Sequence, residues 1–232
     1  MLKPQDFVKK IRNENQALFE ASKMNVKAYF EGDLSQEEMV DHFIGRMVNE
    51  RMNMSEISQQ IANAEDDADP RELELLSKQA ADEAKHYRMV KEVIEHITGE
   101  EVDAAQAIQK EREMDTAKGA SLLEKYDAEN DEAVLAAYQL VAEGRAEAVW
   151  NQMADTIEDS FISGRYREIA KDEGFHSGIG GYKLRKVATD EKTQSRVLHI
   201  IEAMRKDLFE ISCANTVEAK GSRELVNAAY GW

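Results

Sequence analysis

Apolar residues return every three or four positions over long stretches of this chain, the spacing of helices laid against a core, and no stretch alternates apolar and polar residues convincingly as a half-buried strand does. Start and stop signals divide the pattern into about six long helical segments. The first runs from Pro4 to Phe30 and stops near Gly32. Ser35 and Glu38 have the spacing of a capping box and open a second segment that reaches towards Ala64. Asp69 followed by Pro70 starts a third, which ends before Gly99. Residues 100 to 130 read as a longer connection with short helical pieces. A fourth segment spans Asp131 to Asp159, a fifth Phe161 to Val187, and Asp190 caps a sixth that reaches towards Ala219, before the tail SRELVNAAYGW. The expectation is an all-α chain forming one domain over residues 1–232.

Four of these stripes contain residues that do not belong in an apolar core. Glu50 lies between Met47 and Met54 in the second segment; Glu83 and His86 lie between Leu76 and Val90 in the third. Glu143 follows Leu140 in the fourth, and Glu173 and His176 continue Ile162, Tyr166 and Ile169 in the fifth. A carboxylate removed from water without a partner is expensive, and four that converge repel one another. Two divalent cations resolve the conflict, since four glutamates match their charge and two neutral imidazoles add nitrogen ligands. The spacing Glu-x-x-His puts both side chains on one helical face. Each lone glutamate precedes its Glu-x-x-His motif by a similar distance, 33 residues from Glu50 to Glu83 and 30 from Glu143 to Glu173. The chain therefore reads as two related helical hairpins around a buried dinuclear metal centre. Glu147, one turn after Glu143 and about 40° round the helix, is the alternative ligand; the spacing favours Glu143.

Either D-E-x-x-H alone is matched by a charged helix surface. Acids occupy 46 of 232 positions, so acids at both preceding positions of one histidine arise by chance in about 4% of cases. Two such motifs on apolar stripes, each paired with a core glutamate, carry the argument. His42, His96 and His199 lack this context and read as ordinary surface or core residues.

The set Glu50, Asp82-Glu83-Ala84-Lys85-His86, Glu143 and Asp172-Glu173-Gly174-Phe175-His176 resembles, in order and kind, the ligand pattern of the ferritin-like non-haem di-iron carboxylate superfamily. DEAKH and KDEGFH look most like the catalytic subunits of ring-epoxidising CoA-thioester oxygenases, such as phenylacetyl-CoA and benzoyl-CoA epoxidases. The resemblance covers residues 35–187 and implies a ferritin-like four-helix bundle with additional N-terminal and C-terminal helices. It implies two iron ions, or manganese or a mixed pair, as cofactors and O2 as co-substrate. It also implies that Asp82 and Asp172 each orient a ligand histidine of the opposite half. The expected activity is an O2-dependent oxygenase or oxidase acting on a small organic substrate, with acyl and aromatic thioesters among the candidates. Electrons would come from an external reductase or from the substrate, because no flavin or nicotinamide motif is visible. Ferroxidase or iron-handling activity, a manganese catalase-type peroxidase and a non-enzymatic helical accessory subunit are the alternatives.

A net charge of -16 argues against broad nucleic-acid binding and against an anionic membrane surface. Cys213 is the only cysteine, which excludes an intramolecular disulfide and a cysteine-rich metal site. With no signal-peptide pattern or membrane-length apolar run, a soluble cytoplasmic protein is expected, as a homodimer or another small oligomer. The basic residues Arg165, Arg167, Lys171, Lys183, Arg185 and Lys186 suit either a solvated helix face or an anionic partner. Gly174, Gly178 and Gly181 share one face of the fifth segment, where they suit close approach of a neighbouring helix. Gly180 falls on the ligand stripe and is the candidate for a pocket wall.

Overall fold

The computed structural model describes residues 1–114, 122, 123, 125, 126 and 131–214. Every regular element among them is an α-helix. The tail after residue 214, and Gly119 with residues 115–121, 124 and 127–130 of the expected connection, lie outside the described residues. The chain divides into two compact units, Met1–Asp33 with Lys125–Trp232, and Leu34–Glu124. The bundle core expected over residues 35–187 draws on both.

The unit Leu34–Glu124 is built on a hairpin of two long helices, α3 (Gln36–Ala62) and α4 (Pro70–Thr98). Its local signals act as the sequence implies. Glu38 N–H donates to Ser35 Oγ at 3.2 Å while Ser35 N–H donates to Glu38 Oε2 at 2.8 Å, so two otherwise unpaired donors of the first turn are satisfied reciprocally. Asp69 accepts from Arg71 N–H at 2.9 Å, and Pro70 begins α4 where a missing N–H costs nothing. Gly99 ends α4 in the left-handed region, φ 72°, which glycine enters without steric penalty. Phe43, Met47, Val48 and Ile57 of α3, and Met89, Val90, Val93 and Ile94 of α4, are buried. A shorter helix, α5 (Ala104–Met114), packs on α3.

The other unit contains α1 (Pro4–Glu14), α2 (Gln16–Phe30), α6 (Glu132–Thr156), α7 (Ser160–Val187) and α8 (Glu191–Ala214). Helix α6 is its centre, in contact with α1, α2, α7 and α8. It is accordingly apolar almost all round, with Val134, Ala137, Leu140, Val141, Val149, Trp150 and Met153 all buried. The amino-terminal end is tied to the start of α8: Leu2 N–H donates to Gln194 Oε1 at 2.9 Å, and Gln194 Nε2 donates to the Leu2 carbonyl at 2.8 Å.

The single first helix expected over Pro4 to Phe30 is instead two. Asn15 interrupts it with φ -97° and ψ 2°. Its buried side chain donates to the Ile11 carbonyl at 2.7 Å and accepts from Arg205 Nε at 2.9 Å. A short amide that bonds nearby backbone offers the chain an alternative to the helical ladder, and here a distant arginine fixes that alternative.

The glycines of α7 also need correction. A Cβ placed on Gly180 would lie 2.4 Å from the Leu140 nitrogen and 2.8 Å from the Ala136 oxygen. The backbone of α6 fills the space, so Gly180 is the close-approach position and not a pocket wall. Of the three glycines expected at a close approach, Gly174 meets the Glu147 side chain of α6, where an added Cβ would lie 2.8 Å from it, whereas Gly178 has open space around it and Gly181 would make only ordinary contacts, at 3.5 Å.

Candidate metal centre

In the unit Leu34–Glu124, α3 supplies Glu50 and α4 supplies Glu83 and His86. Their residues are 2%, 1% and 0% exposed, and each offers a ligand atom within 4.8 Å of the others. His86 Nδ1 is 3.6 Å from Glu50 Oε2 and 4.0 Å from Glu83 Oε2. The three converge because Glu83 and His86 stand three residues apart on α4, beside the α3 stripe that carries Glu50.

In the other unit α6 supplies Glu143, which is half-buried, and α7 supplies Glu173 and His176, 3% and 0% exposed. Again one atom of each lies within 4.8 Å of the others, and His176 Nδ1 approaches Glu173 Oε2 at 3.1 Å. Each unit thus assembles one lone glutamate with one Glu-x-x-His. Two carboxylate oxygens and an imidazole nitrogen at these separations form a donor set suited to a divalent transition metal.

Glu147 belongs to neither cluster. Its carboxylate rests against Gly174, where an added Cβ would lie 2.8 Å from the carboxyl carbon. Partial loss of water raises its pKa; Arg12 opposes that shift and the charge of Glu173 adds to it. Asp82, 8% exposed, forms an ion pair with Lys78 one turn earlier on α4, while Asp172 is half-buried on α7.

One neighbour was not foreseen from the stripes. Arg46 lies one turn before Glu50, and its Nη2 donates to Glu50 Oε1 at 2.5 Å. Burial alone would raise the Glu50 pKa, but the guanidinium, and after it His86, outweigh this and bring it down to about 2. The i, i+4 spacing of Arg46 and Glu50 is the sequence signal that identifies the ion pair. In the other unit Tyr138 lies within the field of Glu143. It stacks on Tyr126 with ring centroids 5.0 Å apart, and burial together with the Glu143 charge raises its phenol pKa.

A cleft of about 520 Å³ opens in the unit that holds α6 and α7, lined by Arg12, Phe19, Leu140, Gly144, Glu147 and Ser177 among others. Gly174 also lines it, so the cleft adjoins the turn of α7 that carries Glu173 and His176. The basic residues of α7 make local contacts. Arg167 pairs with Asp155 at 2.9 Å, Arg165 lies over the Phe161 ring and Lys186 over the Tyr182 ring. Among the described residues no helix is long and apolar enough to cross a membrane.

Comparison with protein-family models, curated proteins and solved structures finds no match to this chain. The functional reading therefore rests on the residues themselves.

Proposed function

We propose that the chain is a non-haem dinuclear metal oxidoreductase, an oxygenase or oxidase that uses O2 on a small organic substrate. The observation that carries this reading is the repeated cluster: Glu50, Glu83 and His86 in one unit, Glu143, Glu173 and His176 in the other, five of the six residues almost completely buried. Each cluster would hold one metal ion, iron in the first instance, through two carboxylates and one imidazole. A reduced pair of such ions supplies the capacity to bind O2 and direct its oxidising power at an organic molecule.

The residues of the chain have the remaining tasks. The helices α3, α4, α6 and α7 hold the ligands on packed scaffolds, so little ordering is left for the moment of binding. The apolar stripes on either side of the ligands keep water away from them: Met47 and Val90 flank one cluster along the chain, Leu140 and Ile169 the other, and all four are buried. The cleft beside Gly174 and Ser177 has a volume in the range of small-molecule sites, and we assign it to the substrate. Electrons would come from a separate reductase or from the substrate.

Anaerobic loading with Fe(II), metal analysis and O2 uptake test the proposal. About two irons per chain and O2 consumption on exposure to air are expected; a chain that remains metal-free rules the reading out. Iron storage would appear in the same samples as a large hollow oligomer, and a catalase as vigorous peroxide turnover by the Mn-loaded protein.

A further inference from the structure

Glu50 uses its two carboxylate oxygens differently. Oε1 accepts from Arg46 Nη2 at 2.5 Å, while Oε2 faces Nδ1 of His86 at 3.6 Å. The pair is withdrawn from solvent, the Glu50 side chain 2% and the Arg46 side chain 19% exposed. An i, i+4 ion pair at a helix surface adds only a few tenths of a kcal/mol and leaves both side chains mobile. Partial burial of the guanidinium costs some desolvation that a surface pair avoids, and it sets the group against a candidate ligand. A planar guanidinium also fixes the orientation of the carboxylate it binds, which a point charge does not.

We infer that Arg46 is a positioning residue for the metal cluster of α3 and α4: by holding Oε1 it turns Oε2 towards His86 and presents Glu50 as a single-oxygen ligand. This rests on the metal reading of that cluster and adds the residue that sets how Glu50 binds. Held in this way, Glu50 would offer Oε2 and not Oε1 to an ion at the cluster.

Co(II) titration followed by visible absorption tests it, because band intensity reports coordination number as well as occupancy. Wild type is compared with Arg46→Met, Arg46→Lys, Glu50→Ala and the Arg46→Met, Glu50→Ala double variant. Loss of a residue that orients a ligand lowers metal affinity by roughly 10- to 100-fold, and that is expected for Arg46→Met. Arg46→Lys should fall between it and wild type. With Glu50 already removed, Arg46→Met should cost nothing more, since the two act as one unit. Wild-type affinity or tighter binding in Arg46→Met overturns the inference, the latter because Arg46 would then compete with the metal. An undiminished loss in the Glu50→Ala background overturns it too, as it marks a general packing effect. Should Arg46→Met fail to fold, Arg46→Lys decides, and wild-type affinity with an unchanged spectrum rejects the inference. A wild-type chain that takes up no Co(II) overturns the metal reading and this inference with it.

Discussion

Gly180 faces the backbone of Leu140 so closely that a single methyl group on it would lie 2.4 Å from the Leu140 nitrogen. Backbone cannot turn aside as a flexible side chain can, so α7 would have to move off α6. Gly180→Ala should destabilise the protein by about 2–3 kcal/mol through overpacking, despite the better helix propensity of alanine. Gly178→Ala has open space around it and should stabilise by up to about 1 kcal/mol. Urea unfolding of the two variants checks both signs.

Asn15 and Arg205 make a second relationship that mutation can isolate. Replacing Asn15 by Ala leaves a buried break in the helix without its side-chain bonds to Ile11 and Arg205. A cost of about 1–3 kcal/mol is expected. In a double-mutant cycle with Arg205→Met the two losses should be less than additive; strict additivity would deny the coupling.

These two sites also mark where local sequence signals stop being informative. Ser35, Glu38, Asp69, Pro70 and Gly99 act on groups a few residues away, so α3 and α4 begin and end within two residues of where their spacing places them. Burial of Glu50, Glu83, His86, Glu173 and His176 was legible for a similar reason, since a helical stripe defines its own inner face. The break at Asn15 depends on an arginine 190 residues away. The role of Gly180 likewise depends on which backbone lies opposite, and helical periodicity says only that it faces inwards.

Metal content separates the ligand glutamates from their neighbour. Glu83→Ala and His176→Ala should each lose at least one of the two ions after Fe(II) loading and desalting. Glu147→Ala should keep both, because its carboxylate lies outside the clusters. Metal loss in Glu147→Ala equal to that in Glu83→Ala would exchange Glu147 for Glu143 in the ligand set.

His42 gives the metal-free protein a pH dependence. Loss of water, and after it the charge of Arg46, lowers its pKa from 6.5 to about 3. Between those values the unfolded chain binds a proton that the folded chain refuses, so stability rises with pH. The contribution is complete above about pH 6.5 and falls away as pH drops towards 3, with a slope of up to ~1.4 kcal/mol per pH unit. Comparing urea midpoints at pH 4.5 and 7.5 tests this: His42→Gln should lose less stability on acidification than wild type, and an equal loss would contradict it.

The unit built on α6 is discontinuous in sequence, with Met1–Asp33 at one end and Lys125–Trp232 at the other. During synthesis α1 and α2 leave the ribosome with none of their eventual neighbours α6, α7 and α8 yet made. The α3–α4 hairpin has all of its own residues first. At ordinary elongation rates the early helices wait roughly 5–20 s before α6 emerges. During that interval Phe7, Ile11, Leu18 and Phe19, all buried at the end, face solvent or a chaperone. Vectorial translation thus makes the amino-terminal helices, and not the ligand-bearing ones, the segment most exposed to misassembly in a growing chain.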